Sequence, residues 1–150
     1  MKKINLIIKE IERHIETLNY EAQKLEDLNF TSDSLENYET IILLDAFIFR
    51  FIKLQSAIGE KLFPMFFEIL TGKSPTEVTF IDILNTLEKY GFLENAEEWN
   101  KVRKLRNEFV HIYPWETDLK IEAVKKALKE FKNIKSIFYK IRDYLNAKGI

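Results

Sequence analysis

The sequence contains no cysteine, only three prolines and four glycines, and only two histidines. The missing cysteine excludes thiol nucleophiles, disulfides and thiolate zinc sites, and it is typical of a reducing compartment. No apolar stretch approaches the roughly 18 uninterrupted residues that a membrane span requires. The first apolar run is broken at Lys9 and Glu10, before a secretory signal is complete. We therefore expect a cytoplasmic protein that does not contact a membrane.

The chain is 150 residues long, which predicts a single domain over 1–150 with a core of its own. Its net charge of −1 hides a strong polarity. Residues 1–100 carry 10 basic and 18 acidic side chains, whereas residues 101–150 carry 13 and 6. A basic half favours a phosphate-bearing partner such as RNA, although a solvated lysine-rich helix face explains the same charge equally well.

Apolar residues recur every three or four positions over 4–25 and again over 41–62, which is typical of bundle helices. The second helix carries a further apolar row, formed by Leu43, Phe47 and Leu54. We therefore expect this helix to lie inside the bundle and also to contribute to a dimer interface.

Turn and capping residues divide the rest of the chain into further helices. They predict a turn over 29–34 that includes Ser32 and Ser34, a helix that Pro64 ends or kinks near Phe63, and a loop from Thr71 to Pro75. A short helix then runs from Thr79 to Gly91, another from Asn95 towards Pro114, and the last begins near Asp118. No strand pattern is visible. The sequence therefore predicts an all-α, up-and-down bundle of four main helices plus a short one.

The chemistry of the chain is concentrated near the end of the fourth predicted helix. Helical geometry places Arg106 within the apolar arc of that helix, where an unpaired guanidinium costs several kcal/mol. Arg106 therefore needs a carboxylate, backbone carbonyls, a hydrated cleft or a phosphate. Asp45 and Glu108 are the candidates for a purely structural partner.

A polar strip follows the same helix. Asn107 and His111 are four residues apart and share a face with Asn100 and Lys104. Arg106 lies about 140° from His111 on an ideal helix, so one regular helix does not aim both at one phosphate. Either the helix loosens before the following proline, or a second copy of the chain completes the site across a two-fold axis. We favour the second copy, aided by the first effect.

This pair suits cleavage of RNA without a metal or another cofactor. An imidazole with an ordinary pKa of about 6.5 exchanges protons near neutral pH, and a guanidinium stabilises charge on phosphate. His111 would take the proton of a ribose 2′-hydroxyl or protonate the leaving 5′-oxygen, and the product would carry a 2′,3′-cyclic phosphate. The histidines and carboxylates show no metal-ligand spacing. The structural alternative is a buried arginine beside a surface histidine.

The stretch from Trp99 to Pro114, WNKVRKLRNEFVHIYP, resembles the signature of HEPN-domain proteins: arginine, a polar residue, several variable positions and histidine. Its ending, His-x-Tyr, is similar to the branch that acts as a toxin beside a minimal nucleotidyltransferase antitoxin. The segment from Asp45 to Pro64 also resembles that branch, so the likeness covers most of the chain from about Tyr38.

The resemblance implies a helical homodimer with a ribonuclease site in a cleft between protomers. It assigns catalysis to Arg106 and His111, support of the site to Asn107, and acceptance of AMP from the antitoxin to Tyr113. An adenylate at that tyrosine would add bulk and negative charge beside the groove and repel RNA.

The neighbouring Arg103 and Lys104 are expected to support the site or bind RNA. The alternative function is a non-catalytic helical partner or substrate-binding subunit of a nucleotidyltransferase, which the acidic Glu108 beside the pair favours.

Other polar and aromatic residues receive structural interpretations. We expect His14 to be solvated, and Arg50 and Lys53 to lie on a bundle face rather than in the groove. Trp99 and Trp115 are expected to pack in the core and as a lid rather than to stack on RNA bases.

Overall fold

The computed structural model describes residues 2–31, 33 and 36–150, and these contain α-helices, a π-helical segment, a 3₁₀ turn and no strand. The α-helices are α1 (Lys3–Leu28), α2 (Tyr38–Ser56), α3 (Phe63–Thr71), α4 (Phe80–Lys89), α5 (Ala96–His111) and α6 (Thr117–Ala147). The π segment, Ala57–Leu62, joins α2 directly to α3. The predicted all-α architecture is confirmed: four long helical rods (α1, α2 to α3, α5 and α6) and the short α4.

Pro64 does not end the second rod, which continues to Thr71. Proline lacks an N–H, and in a regular helix its ring crowds the carbonyl four residues earlier. Here the helix widens just before it, and the amide of Phe63 donates to the carbonyl of Ile58, five residues back. The wider turn accommodates the proline ring. The rod ends only at Gly72, whose φ of +73° is a left-handed conformation.

The predicted caps of the two following helices are confirmed. Thr79 and Asp82 form a reciprocal capping box, with hydrogen bonds of 3.2 and 3.0 Å. Gly91, with φ of +85°, follows the end of α4. The side chain of Asn95 accepts a hydrogen bond from the amide of Glu98 and starts α5. These caps fix where α5, the helix with the candidate site, begins.

Two asparagines border the turn between α1 and α2. Asn29 ends α1 in a left-handed conformation. The side chain of Asn37 caps α2 by accepting hydrogen bonds from the amides of Glu39 and Thr40. Ser32 and Ser34, two of the predicted turn residues, lie outside the described residues.

The core lies between α1, the α2–α3 rod, α5 and α6, and the rod contacts all three partners. Phe47 and Leu54 are fully buried and Leu43 is half-buried, so the second apolar row of α2 packs inside the bundle. The apolar residues that α2 leaves exposed are instead Tyr38, Ile42 and Phe49. No helix of the described ranges has the length and apolarity needed to cross a bilayer.

Candidate functional site

Helix α5 places the predicted site residues along its exposed and half-buried faces. Trp99, Val102, Leu105 and Phe109 are buried as predicted and attach α5 to the core. The helix ends at His111, after which the backbone becomes extended. Proline at position 114 disfavours helical backbone at the residue before it, which fits this early ending. The predicted loosening of the helix therefore begins directly after the histidine.

Arg106 is half-buried beside a cavity of about 390 Å³. Its Nε is inaccessible to solvent and has no hydrogen-bond partner among the described residues. One terminal nitrogen donates a long hydrogen bond of 3.5 Å to Oδ1 of Asn107. Arg103, Asn107 and the half-buried Phe80 line the same cavity. A guanidinium in this position can bind an anion that enters the cavity.

The carboxylates proposed as structural partners do not neutralise Arg106. Asp45 forms an ion pair of 2.6 Å with Lys120 of α6. Glu108 borders a different cavity, and the ion pairs of the described residues include none to Arg106. The sequence allows four kinds of partner for Arg106: a carboxylate, backbone carbonyls, a hydrated cleft or a phosphate. Neither of the two candidate carboxylates forms an ion pair with it.

His111 is exposed and lines a second cavity, of about 310 Å³, between the end of α5 and the start of α6. Three carboxylates border this cavity together with Lys126, namely those of Glu108, Glu116 and Glu122. Glu122 pairs with Lys126 at 3.5 Å, which offsets part of the negative charge.

Within this one chain, Arg106 and His111 therefore line separate cavities. This agrees with the 140° between them on a regular helix. Asn107 lies between the two: it borders the arginine's cavity and is one helical turn, about 6 Å, before the histidine.

Tyr113 and Trp115 form a stacked pair on the surface after α5. Their rings are parallel within 2°, with centroids 4.8 Å apart, and the residues are 59% and 73% exposed. The amide of Tyr113 donates to Glu116 at 2.9 Å, which holds the turn. Among the described residues no hydrogen bond involves the Tyr113 hydroxyl. Trp115 thus stacks on the tyrosine ring rather than forming a lid on the bundle, and both residues are mostly exposed.

The two other basic residues predicted near the site, Arg103 and Lys104, are both exposed on α5. The guanidinium of Arg103 lies over the ring of Phe80, 4.8 Å from its centroid. Arg103 therefore joins the cavity of Arg106, whereas Lys104 does not line it.

Sequence reasoning missed five residues that line this cavity: Gln55, Gly59, Glu60, Pro64 and Phe80. Gln55 carried a usable signal, because it is a polar residue at a position of the buried stripe of α2. It is 4% exposed, and its Oε1 has no partner among the described residues. Gly59 and Phe80 gave no such signal, since their place depends on how the π segment and α4 pack.

The expectation that His14 is solvated is wrong. It is only 9% exposed and lies between Glu10 and Arg50, at 3.2 and 3.1 Å. The buried face of α1 is wider than its aliphatic residues alone indicate, because α2 packs over the histidine. Arg50 is consequently held against α1, while Lys53 is exposed.

No protein-family model, no curated protein and no solved structure matches this chain. Histidines and acidic residues form no group of three with metal-binding geometry in the part of the chain that the structure describes.

Proposed function

We propose that the chain is a metal-independent endoribonuclease toxin of the HEPN type, paired with a minimal nucleotidyltransferase antitoxin. The observation that carries the proposal is Arg106: a half-buried guanidinium at the wall of a cavity, with Nε unpartnered and no ion pair to it among the described residues. An N–H group that is shielded from solvent and has no acceptor costs about 1–3 kcal/mol, so a guanidinium that keeps one beside a cavity is suited to an anionic ligand.

The acid–base group of the proposal is His111, exposed at the end of α5. In the reaction, an imidazole removes the proton of the 2′-hydroxyl, and the 2′-oxygen attacks phosphorus. The bond to the 5′-oxygen breaks as that oxygen takes a proton from water, leaving a 2′,3′-cyclic phosphate and a 5′-hydroxyl end. Arg106 stabilises the negative charge that grows on the phosphate oxygens.

A homodimer completes the site in this proposal. Because Arg106 and His111 line different cavities of one protomer, a second copy must supply the missing member of each pair. The exposed Ile42 and Phe49 of α2 are available for such an interface.

The test measures cleavage of a single-stranded RNA in EDTA, with product ends identified by mass spectrometry. Arg106→Ala and His111→Ala are each expected to lower the rate by about 10²-fold or more. Arg13→Ala, which removes an exposed arginine of α1, is the matched control and should leave the rate unchanged. Cleavage that persists in both site variants rules out the assignment.

A second candidate, a non-catalytic subunit of a nucleotidyltransferase, is favoured by the apolar surface near the end of α5. Val110, Tyr113, Trp115 and Leu119 are each more than half exposed there. Exposed apolar clusters commonly mark protein interfaces. Expression with and without the adjacent gene separates the two functions. The ribonuclease predicts toxicity that His111→Ala removes, and the subunit predicts a stable complex without toxicity.

A further inference from the structure

The cavity beside Arg106 has features that phosphate binding alone does not require. Its walls come from the α2–α3 rod, from the first residue of α4 and from α5. Its volume of about 390 Å³ falls in the range of roughly 300–1,000 Å³ that is usual for small-molecule sites. The cavity is therefore large enough for a group beyond one phosphate.

Unpartnered polar atoms are concentrated at this cavity. Three of the described buried atoms without a hydrogen bond are Oε1 of Gln55, Nε1 of Trp99 and Nε of Arg106. Gln55 and Arg106 line the cavity directly. Trp99 lies behind Gly59: a Cβ added to that glycine would be 3.1 Å from the indole nitrogen and 3.3 Å from the amide nitrogen of Gln55. The carboxamide and indole thus meet at the glycine, next to the guanidinium.

Arg103 and Phe80 give the cavity a planar surface. Arg103 lies over the ring of Phe80, and both residues line the cavity. Stacked guanidinium and aromatic groups bind the faces of nucleobases, and a carboxamide both donates to and accepts from a base edge. Glu60 is the carboxylate among the lining residues, so the two arginines leave the lining with a net positive charge.

We propose that this cavity binds one nucleotide of single-stranded RNA, with the base between Arg103 and Gln55 and the phosphate at Arg106. The inference rests on the proposed ribonuclease function and adds a base-recognising subsite to it. In the site shared between two copies, the strand leaves this subsite at Arg106 and continues towards the imidazole that the second copy supplies. Gln55 then determines which bases are preferred next to the cleaved bond.

The test uses the full-length His111→Ala variant, so that binding is measured without turnover. Calorimetry compares the four ribonucleoside 5′-monophosphates, ribose 5-phosphate and inorganic phosphate, and NMR shifts locate the site. At least one nucleotide is expected to bind tenfold or more tightly than ribose 5-phosphate, with shifts at Gly59 and Phe80. In Gln55→Leu, the discrimination between bases should disappear while phosphate binding remains. Equal affinity for all six ligands, or discrimination unchanged in Gln55→Leu, overturns the proposal.

Two further arms complete the experiment. Phe80→Leu, which keeps an apolar side chain but removes the ring, should weaken nucleotide binding about tenfold, and it substitutes for Gln55→Leu if that variant does not fold. A 2′-O-methyl trinucleotide should bind at least tenfold more tightly than the best mononucleotide. Equal affinity of the two would assign the cavity to a free nucleotide and overturn the RNA subsite. Nucleotide binding without RNA cleavage in the wild type would reject the ribonuclease alone, whereas cleavage without base discrimination would reject the subsite alone.

Discussion

The guanidinium of Arg50 donates a hydrogen bond of 3.1 Å to Nδ1 of His14. Arginine has no acceptor, so Nδ1 must carry a lone pair and the imidazole must be neutral. Its proton is then on Nε2, which donates to Glu10 at 3.2 Å. Arg50 thus fixes both the tautomer and the charge of a histidine that lies between α1 and α2.

Acidification is expected to weaken this contact. Burial lowers the pKa of His14 below its ordinary 6.5, and the charges of Arg50 and Lys53 act in the same direction, while Glu10 opposes them. As the pH falls, the unfolded chain binds a proton at His14 at a higher pH than the folded chain does. The stability that this contact contributes is therefore fully present above pH 6.5, and the free energy of unfolding decreases below that pH by at most about 1.4 kcal/mol per pH unit. Urea unfolding at pH 7.5 and 5.5 measures this loss.

The matched variant for this measurement is His14→Gln, whose amide can still accept from Arg50 and donate to Glu10 but does not titrate. It should lose less stability than the wild type between these two pH values. An equal loss in both proteins would show that another group causes the pH dependence.

Replacement of Glu21 by glutamine should stabilise the protein at neutral pH. This residue is 7% exposed, its Oε1 has no partner among the described residues, and burial raises its pKa above 4.5, opposed by Arg50. The charged form is therefore disfavoured in the folded state, and removing the charge should add on the order of 1 kcal/mol. The gain should shrink as the pH falls through the raised pKa.

Thermal unfolding of Glu21→Gln at pH 7 and pH 4 measures both effects. Glu16→Gln, on the exposed face of the same helix, is the control and should leave the melting temperature unchanged. A lower melting temperature for Glu21→Gln at pH 7 would contradict this interpretation.

Alanine at Gly59 should destabilise the protein, although alanine normally favours a helix over glycine by about 1 kcal/mol. Its Cβ would lie 3.1 and 3.2 Å from two atoms of the Trp99 indole. That indole is fully buried and packs against Phe63 with centroids 4.7 Å apart, so a shift of the indole would disturb the packing of the core. Overpacking of this kind typically costs about 1–3 kcal/mol. Denaturant unfolding of Gly59→Ala measures the change, with Ser56→Ala as the control. A gain in stability would show that the indole moves to make room for the methyl group.

Loss of the capping box at α4 should cost about 1 kcal/mol. In Thr79→Ala, the amide of Asp82 loses its side-chain acceptor. Thr86→Ala is the control, because that hydroxyl only bonds the carbonyl of Asp82 within the same helix and should contribute little. Chemical denaturation compares the two. Since α4 carries Phe80, Thr79→Ala should also weaken nucleotide binding if the proposed subsite exists.

Mixing two inactive proteins should restore activity if the ribonuclease site is shared between protomers. A heterodimer of Arg106→Ala and His111→Ala retains one site in which both catalytic residues are intact. Co-refolding the two variants should therefore recover a substantial part of the wild-type cleavage rate, whereas either variant alone remains inactive. No recovery, with heterodimers demonstrated by native mass spectrometry, would place both residues of a site on one chain.

The helices of this chain could be predicted from local signals, because their information lies in neighbouring residues. The caps at Thr79 and Asn95 and the buried arc of α5 depend on spacings of three or four residues, and they were found. For Pro64 the sequence predicted either an end or a kink near Phe63. It did not predict the wider turn through which the second rod continues, since that turn depends on backbone hydrogen bonds rather than on residue type.

The candidate site was predictable only along α5. The position of Arg106 in the half-buried arc followed from helical geometry, as did its separation from His111. The walls formed by Gln55, Gly59 and Phe80 come from two other elements, and their meeting depends on packing. The environment of His14 was missed for the same reason: its covering residue, Arg50, is 36 positions away in the chain.

The two tryptophans of the chain occupy opposite environments, which makes their fluorescence informative. Trp99 is fully buried, whereas Trp115 is stacked on Tyr113 in contact with solvent. Soluble quenchers should therefore reach the emission of Trp115 and spare that of Trp99. A molecule that covers the end of α5, whether a second protomer, an antitoxin or an RNA strand, should shield Trp115 from the quencher. Its binding could therefore be measured by tryptophan fluorescence without an added label.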